Sequence, residues 1–469
     1  MVAFALAIAS CGGPAASTAP VHAPTLTAAP SLDAQTREIL DQLVRVDTSH
    51  GDETKALTPI LARLKEGGIP GEIVESAPGR GSLVARIKGT GAKKPLLLLA
   101  HIDVVPVEGQ KWSSPPFVPT EKDGLLYGRG VNDDKGMAAS ILVVALELAK
   151  GPKPSRDIIV ALTAGEETGG AAGVRWLLAN RKELLDAEFA LNEGGSALLA
   201  PDLSHVRSVG IGAAEKTFQS YRLVVQGKGG HSSSPATDVD AVTTLARALV
   251  KIGERRFEQH VSPHVKDALA LAATAEKAPL SLALKHAAET APRILPEDGD
   301  IIAKDRAYNA LTRTTCVATM LKASPQDNVL PTEAEAVVNC RIMPEETREQ
   351  TMAALTAAVG DPAVAITNYT DIGFGPSEEL TGEVPAAIRK AAAKVFPRAA
   401  VIGVLGTGAT DSRHLRGAGI HSYGIMTSPV TLDDVRKGLV AHGPDERRPL
   451  KWIGEGTRYL REIVLELTK

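Results

Sequence analysis

The chain has 469 residues, 44% of them hydrophobic, and a formal net charge of −3. That length can bury two or three domain-sized cores, while the slight negative charge leaves no basic field for nucleic acid. Aromatics at 3% offer no stacking platform for bases or sugars, and no apolar run reaches the roughly 18 residues that cross a bilayer as a helix.

The first 30 residues differ in kind from the rest. Residues 2–9 are apolar, Ser10-Cys11-Gly12-Gly13 follows, and an Ala/Pro/Ser/Thr-rich tract runs to Pro30. Ile8-Ala9-Ser10-Cys11 resembles a bacterial lipobox, although the Lys or Arg expected before the apolar stretch is missing. The resemblance implies export, a lipid anchor at Cys11 and a tether after it, hence a periplasmic or membrane-anchored lipoprotein.

Residues 31–213 alternate helix-period and strand-like segments: a helix over 36–46, strands over 83–87 and 96–100, a helix over 137–149, a strand over 158–163, a helix over 172–180 and a strand over 187–191. Helices between strands predict right-handed crossovers and a mostly parallel sheet covered on both faces, the α/β class. At Thr217 the texture changes, because Tyr221, Leu223 and Val225 alternate with polar residues as in an antiparallel sheet with one wet face. Residues 214–375 therefore predict an inserted α+β domain, with helices over 240–252, 265–291 and 345–359 and strands over 314–320, 335–343 and 363–369. Cys316 and Cys340 fall in two of those strands, where they can pair or remain buried thiols; no Cys-x-x-Cys pattern is present. Residues 376–469 resume the α/β pattern, with helices over 384–395 and 433–440, an apolar run over 401–405 and a last helix ending near Leu467.

The chemistry gathers where the apolar strands stop. In an open α/β sheet, ligands bind beyond the carboxyl ends of the strands. The run over 96–100 ends in His101-Ile102-Asp103, whose outer two side chains share one side of an extended backbone. The strand over 158–163 ends in Gly165-Glu166-Glu167, and that over 187–191 in Asn192-Glu193-Gly194. Gly128-Arg129-Gly130-Val131-Asn132-Asp133 precedes the helix over 137–149, where a carboxylate serves either the helix amides or a ligand. Taken singly, each is equally well a capped or solvated strand end. Together they are the oxygen and nitrogen donors of one or two divalent ions: zinc by preference, cobalt or manganese as alternatives. No Gly-x-Ser-x-Gly elbow supports a serine nucleophile.

His101-Ile102-Asp103, Gly128-Arg129-Gly130-x-x-Asp133-x-Lys135-Gly136, Gly165-Glu166-Glu167, Gly229-Gly230-His231-Ser232-Ser233, Asn328-Val329-Leu330-Pro331, Thr410-Asp411-Ser412-Arg413 and His442-Gly443-Pro444-Asp445-Glu446 resemble, in order and context, the motifs of the aminoacylase and carboxypeptidase S group of two-zinc metallopeptidases. The resemblance covers nearly everything after residue 36. It implies that His101 binds one zinc and His442 the other, that Asp133 bridges them, that Glu167 is a ligand, and that Asp103 orients His101. Glu166 would be the general base towards the attacking water. The inserted domain would be a dimerisation lid, whose His231 crosses to the partner to stabilise the oxyanion. Asn328, Arg341 and Arg413 would hold the substrate's free carboxylate; a Gly/Ser turn, a strand-edge charge and a first-turn residue are the plain alternatives for His231, Arg341 and Arg413.

One position departs from the pattern, since family members carry Asp-Glu-Gly where this chain has Asn192-Glu193-Gly194. Asn192 is taken as the remaining ligand through its carbonyl oxygen, with Glu193 or a loosely held second metal as alternatives. The long segment 254–309 resembles the carboxypeptidase S branch and implies an apolar wall to the substrate site. The expected activity is hydrolysis of the amide bond to a C-terminal amino acid in short peptides or N-acyl amino acids. The rivals are a desuccinylase or deacetylase on the same metal site, and an inactive ligand-binding lipoprotein of the same fold.

Overall fold

The strands Leu96–His101 and Ile158–Thr163 are buried at every position and pair in parallel, from Leu96 opposite Ile158 to His101 opposite Thr163. In this computed structural model, which describes residues 31–235, 237, 240–370 and 375–469, they lie within a ten-stranded sheet. The expected lipobox and Cys11 lie outside the described residues. Phe189–Asn192 adds in parallel to the free side of Leu96–His101, and His421–Gly424 adds in parallel to it in turn. Four strands thus present their carboxyl ends along one edge.

Alternate side chains of the central strands enter different layers, as a period of two requires. Leu96 and Leu98 join a large core with the helices Leu32–Val44, Lys135–Leu148, Glu383–Val395 and Ile453–Leu467, whereas Leu97 and Leu99 join a smaller one with Val174, Leu177 and Leu415. Truncating one of these leucines to alanine costs about 2–5 kcal/mol. The parallel arrangement holds at the centre and gives way towards the edges. Gly71–Glu75 and Gly81–Ile87 form an antiparallel pair, as do Ser196–Leu199 and Val206–Glu215. Only residues 76–80 and 200–205 join these pairs, too few for the crossover that a parallel neighbour needs.

Beyond Glu215 the strand Thr217–Gln226 enters a second, four-stranded antiparallel sheet with Thr315–Lys322, Glu333–Ile342 and Val364–Asn368. The helices Ala241–Glu254 and Arg348–Val359 cover one face of it, packing on Tyr221, Leu223, Val225 and Val338. Cys316 stands directly opposite Cys340 in register and the two form a disulfide, which decides between the two states open to them. Thr315–Lys322 is an edge strand with Val317, Met320 and Leu321 exposed. The Ala-rich stretch expected to form one helix over 265–291 is two, Lys266–Ala273 and Leu280–Thr290. Pro279 is the N-cap of the second, a place where its missing N–H costs no helical bond. Two short helices, Pro296–Ile302 and Arg306–Thr312, complete this segment.

Candidate metal centre

His101 closes the buried strand, and its ring is held on both nitrogens. Nδ1 lies 2.9 Å from the carbonyl oxygen of Asp103, and Nε2 lies 3.0 Å from Oδ1 of Asp133. Asp133 comes from the Gly-rich turn ahead of the helix Lys135–Leu148, and its other oxygen lies 3.2 Å from Nε2 of His442. The same His442 nitrogen lies 3.2 Å from Oε2 of Glu167, while Oε1 of Glu193 lies 3.8 Å from His101 Nε2. Two groups of donor atoms result, one of His101, Asp133 and Glu193 and one of Asp133, Glu167 and His442, and Asp133 belongs to both. The sequence assignments of His101, Asp133, Glu167 and His442 are thus brought together at one edge of the sheet.

Asn192 closes the next strand with its Oδ1 buried and without a hydrogen-bond partner among the described residues. Its Nδ2 donates to Ser412 Oγ at 3.0 Å and towards Thr410 Oγ1 at 3.5 Å. The carboxylate that reaches His101 comes instead from Glu193, the residue after the strand end. Asp103 serves two neighbours. Its carboxylate stands 3.5 Å from His101 Nδ1 and spends its two oxygens on the backbone N–H groups of Glu166 and Glu167, both at 3.0 Å. Those amides open a short 3-10 turn, Glu166–Thr168, and have no partner within it, which is why an acceptor is drawn there.

The electrostatics follow from crowding acids around two imidazoles, the buried His101 and the exposed His442. Burial pushes the carboxyls of Glu166, Glu193 and Asp134 well above their usual range, and that of Asp411 up to about 7. Asp133 is equally buried, but its hydrogen bonds to His101 and His442 prevail and hold it well below that range. His101 is raised well above the usual imidazole value, because Asp103 and Asp133 outweigh its burial; His442 is raised to about 10 by Asp133 and Glu167. Glu167 Oε1, Asn192 Oδ1 and Asp134 Oδ2 are buried without a hydrogen-bond partner among the described residues. Three carboxylates and two imidazoles within reach of one another form a donor set that fits divalent cations.

Two supporting residues carry roles that motif spacing did not reveal. Glu446 is fully buried and accepts the backbone N–H groups of Gly130, Asn132 and Asp133 together with the guanidinium of Arg129 at 2.9 Å, so it sets the turn that presents Asp133. Burial moves its carboxyl up to about 6. Asp411 accepts the Thr163 hydroxyl at 3.2 Å behind the Glu166 turn. An acid four residues after His442 was the only signal for Glu446.

The remaining expected residues fall into two places apart from the donor groups. Arg341 lies over the Phe218 ring at 4.6 Å and donates to the Thr407 carbonyl at 3.4 Å. Burial, and then the nearby charge of Arg413, lower its pKa. Arg413 in turn donates from Nε to His414 Nε2 at 3.1 Å. Neither guanidinium forms an ion pair with a carboxylate among the described residues, and two such neighbours suit a ligand carboxylate. His231 and Asn328 share a two-stranded ribbon, in which His231 pairs with Val329 and Ser232 N donates to the Asn328 carbonyl at 3.0 Å. His231 is exposed, its Nδ1 lies 2.9 Å from Ser233 Oγ, and it makes no contact with the donor groups of its own chain among the described residues.

Residues 97–466 match the sequence model of peptidase family M20/M25/M40. The chain is 30% identical over 369 residues to the N-fatty-acyl-amino acid synthase/hydrolase PM20D1 of Xenopus tropicalis, a match that spans 75% of this chain and 68% of that protein. It is 29% identical over 378 residues to the probable carboxypeptidase S-like 2 of Dictyostelium discoideum, spanning 79% and 71%. Among solved structures, an M20 family metallo-carboxypeptidase from Sulfolobus solfataricus shares the fold with a TM-score of 0.67 at 17% identity, over 92% of this chain and 99% of that one.

Proposed function

Because the chain belongs to peptidase family M20/M25/M40 and is a hydrolase, we propose that it cleaves the amide bond to a C-terminal amino acid in short peptides or N-acyl amino acids. The observation that carries this is the position of Asp133, with one oxygen 3.0 Å from His101 and the other 3.2 Å from His442, which also meets Glu167, the residue after the half-buried Glu166. Two divalent cations, zinc by the donor set with cobalt or manganese as substitutes, would be held by His101, Asp133 and Glu193 and by Asp133, Glu167 and His442, and would supply Lewis acidity towards water and the scissile carbonyl.

Glu166 takes the proton of the attacking water and returns it to the departing amine. Its pKa, raised by burial, suits a group that must both accept and donate. Asp103 fixes the turn carrying Glu166 through two backbone N–H bonds. Arg341 and Arg413 receive the substrate's carboxylate and so place the adjacent amide, with Asn328 contributing from the ribbon. His231, free of its own donor groups, reaches the site of a partner subunit and donates to the oxyanion, which makes a homodimer the working unit. The lipobox-like Ile8-Ala9-Ser10-Cys11 and the Cys316–Cys340 disulfide support an exported, lipid-anchored protein in an oxidising compartment.

The purified chain loaded with zinc should release free amino acids from N-acyl amino acids and dipeptides. Glu166→Gln should abolish release while the metal content stays. Absence of release from every free-carboxylate amide, with cleavage of carboxyl-blocked ones, would remove the roles given to Arg341 and Arg413; no hydrolysis of either would remove the proposal.

A further inference from the structure

The strands Ser196–Leu199 and Ala400–Gly406 face the helices Lys266–Ala273 and Arg306–Thr312 across a cavity of about 470 Å³. Leu198, Val265, Leu269, Ile402, Val404 and Leu405 give it an apolar wall. It opens to solvent past the exposed Leu432 and Val435, and its size falls within the range of sites for small molecules, about 300 to 1,000 Å³. None of the donor residues of the metal centre lines this cavity.

The charged groups of the wall are satisfied by described residues with one exception, and the Ser208 hydroxyl beside them is also buried without a partner among the described residues. Glu276 binds Arg436 at 2.8 Å and accepts the Tyr308 hydroxyl at 2.9 Å. Asp305 caps its own helix by accepting the N–H groups of Ala307 and Tyr308. Arg207, half-buried in the same wall, has no hydrogen bond, ion pair or ring contact with any described residue. A guanidinium costs free energy to desolvate, and one left without a counter-charge beside an apolar hollow is complementary to an anion carried on an apolar body.

We propose that this cavity binds a free long-chain aliphatic carboxylic acid, with the chain in the hollow between the sheet edge and the inserted helices and the carboxylate on Arg207. The site is separate from the metal centre and does not depend on the hydrolase assignment.

The full chain carrying Glu166→Gln, which removes turnover, is titrated calorimetrically with hexadecanoate, hexadecanol and butanoate. Saturable binding of hexadecanoate at one site per chain is expected, with butanoate failing for want of a chain. Arg207→Glu should weaken hexadecanoate about tenfold or more, the loss of a charge-assisted anchor, and leave hexadecanol unaffected. Leu198→Trp should block both long ligands, with thermal melts confirming a folded protein. In the wild-type background, Arg207→Glu should leave hydrolysis of a short N-acyl amino acid unchanged. Absence of saturable binding, or binding indifferent to both substitutions, overturns the proposal, the second result placing the chain elsewhere on the protein.

Discussion

The carboxylate of Asp103 accepts the backbone N–H of Glu166 at 3.0 Å, and its second oxygen accepts that of Glu167 at the same distance. One buried acid at the end of the strand Leu96–His101 therefore holds the turn that begins after the neighbouring strand Ile158–Thr163. Its contact with His101 is made by the Asp103 carbonyl at 2.9 Å rather than by the carboxylate.

This geometry separates two effects that a single substitution would otherwise mix. Asp103→Ala frees the Glu166 turn but leaves the backbone carbonyl that orients His101. We expect kcat to fall by about 10- to 100-fold, the range for losing a supporting partner of a metal site, with the His101 ion retained. Steady-state kinetics alongside metal analysis checks this. Unchanged kcat would mean that Glu166 is positioned by something else.

Glu193 and Asn192 make opposite predictions for the ion beside His101. Glu193 brings a carboxylate to 3.8 Å from the ring, while the Asn192 Oδ1 is buried without a partner and carries no charge. Glu193→Gln should therefore lose one of the two bound ions on dialysis against a mild chelator, and Asn192→Asp should retain it more tightly than wild type. Metal content measured by emission spectroscopy decides. Two ions kept by Glu193→Gln would return the ligand role to Asn192.

What was legible in the sequence follows from where apolar runs end. His101, Glu166, Glu167 and the Asn192-Glu193 pair could be placed on one edge because buried parallel strands deliver their termini to a common crevice. Choosing between Asn192 and Glu193 depends on how the chain bends after the strand, which spacing does not encode. The pairing of Cys316 with Cys340 was equally hidden, since the register of their strands includes an irregularity between Ala318 and Met320. Glu446 was silent for another reason: it acts by accepting backbone N–H groups of a turn more than three hundred residues earlier, and backbone donors leave no signature in side-chain patterns. Pro279, by contrast, stood in plain sight as a start signal for the second Ala-rich helix, whose N-cap it is.

His414 supplies a pH dependence outside the metal centre. Burial, and then the charges of Arg413 and Arg175, lower its pKa from 6.5 to about 3, and as a neutral ring it accepts the Arg413 Nε–H at 3.1 Å. Between those two values the unfolded chain takes up a proton that the folded chain refuses. Its contribution to stability is therefore full above pH 6.5 and falls as the pH drops from there towards 3. His414→Gln keeps an acceptor for Arg413 without the titration. The difference in urea midpoint between wild type and this variant should move in favour of the variant between pH 7 and pH 5. A difference that does not change with pH would mean that His414 takes up its proton in the folded protein as it does in the unfolded chain, and a move in favour of wild type would mean that the folded ring is already protonated.

The assignment of His231 to a partner's site rests on its isolation within its own chain, where it turns to Ser233 on an exposed ribbon. The exposed Val317, Met320 and Leu321 on the edge strand of the four-stranded sheet offer a surface for pairing two copies. If His231 serves the opposite site, His231→Ala and Glu166→Gln each inactivate a homodimer, yet a mixed dimer regains one working site: Glu166 from the first chain meets His231 from the second. Co-expression with two affinity tags isolates the mixed species, and its activity should approach half that of wild type, one intact site of two. Were His231 to act in its own chain, neither site of the mixed dimer would be complete and no activity would return. Were it only structural, His231→Ala alone would leave kcat near wild type with any loss appearing in the thermal midpoint.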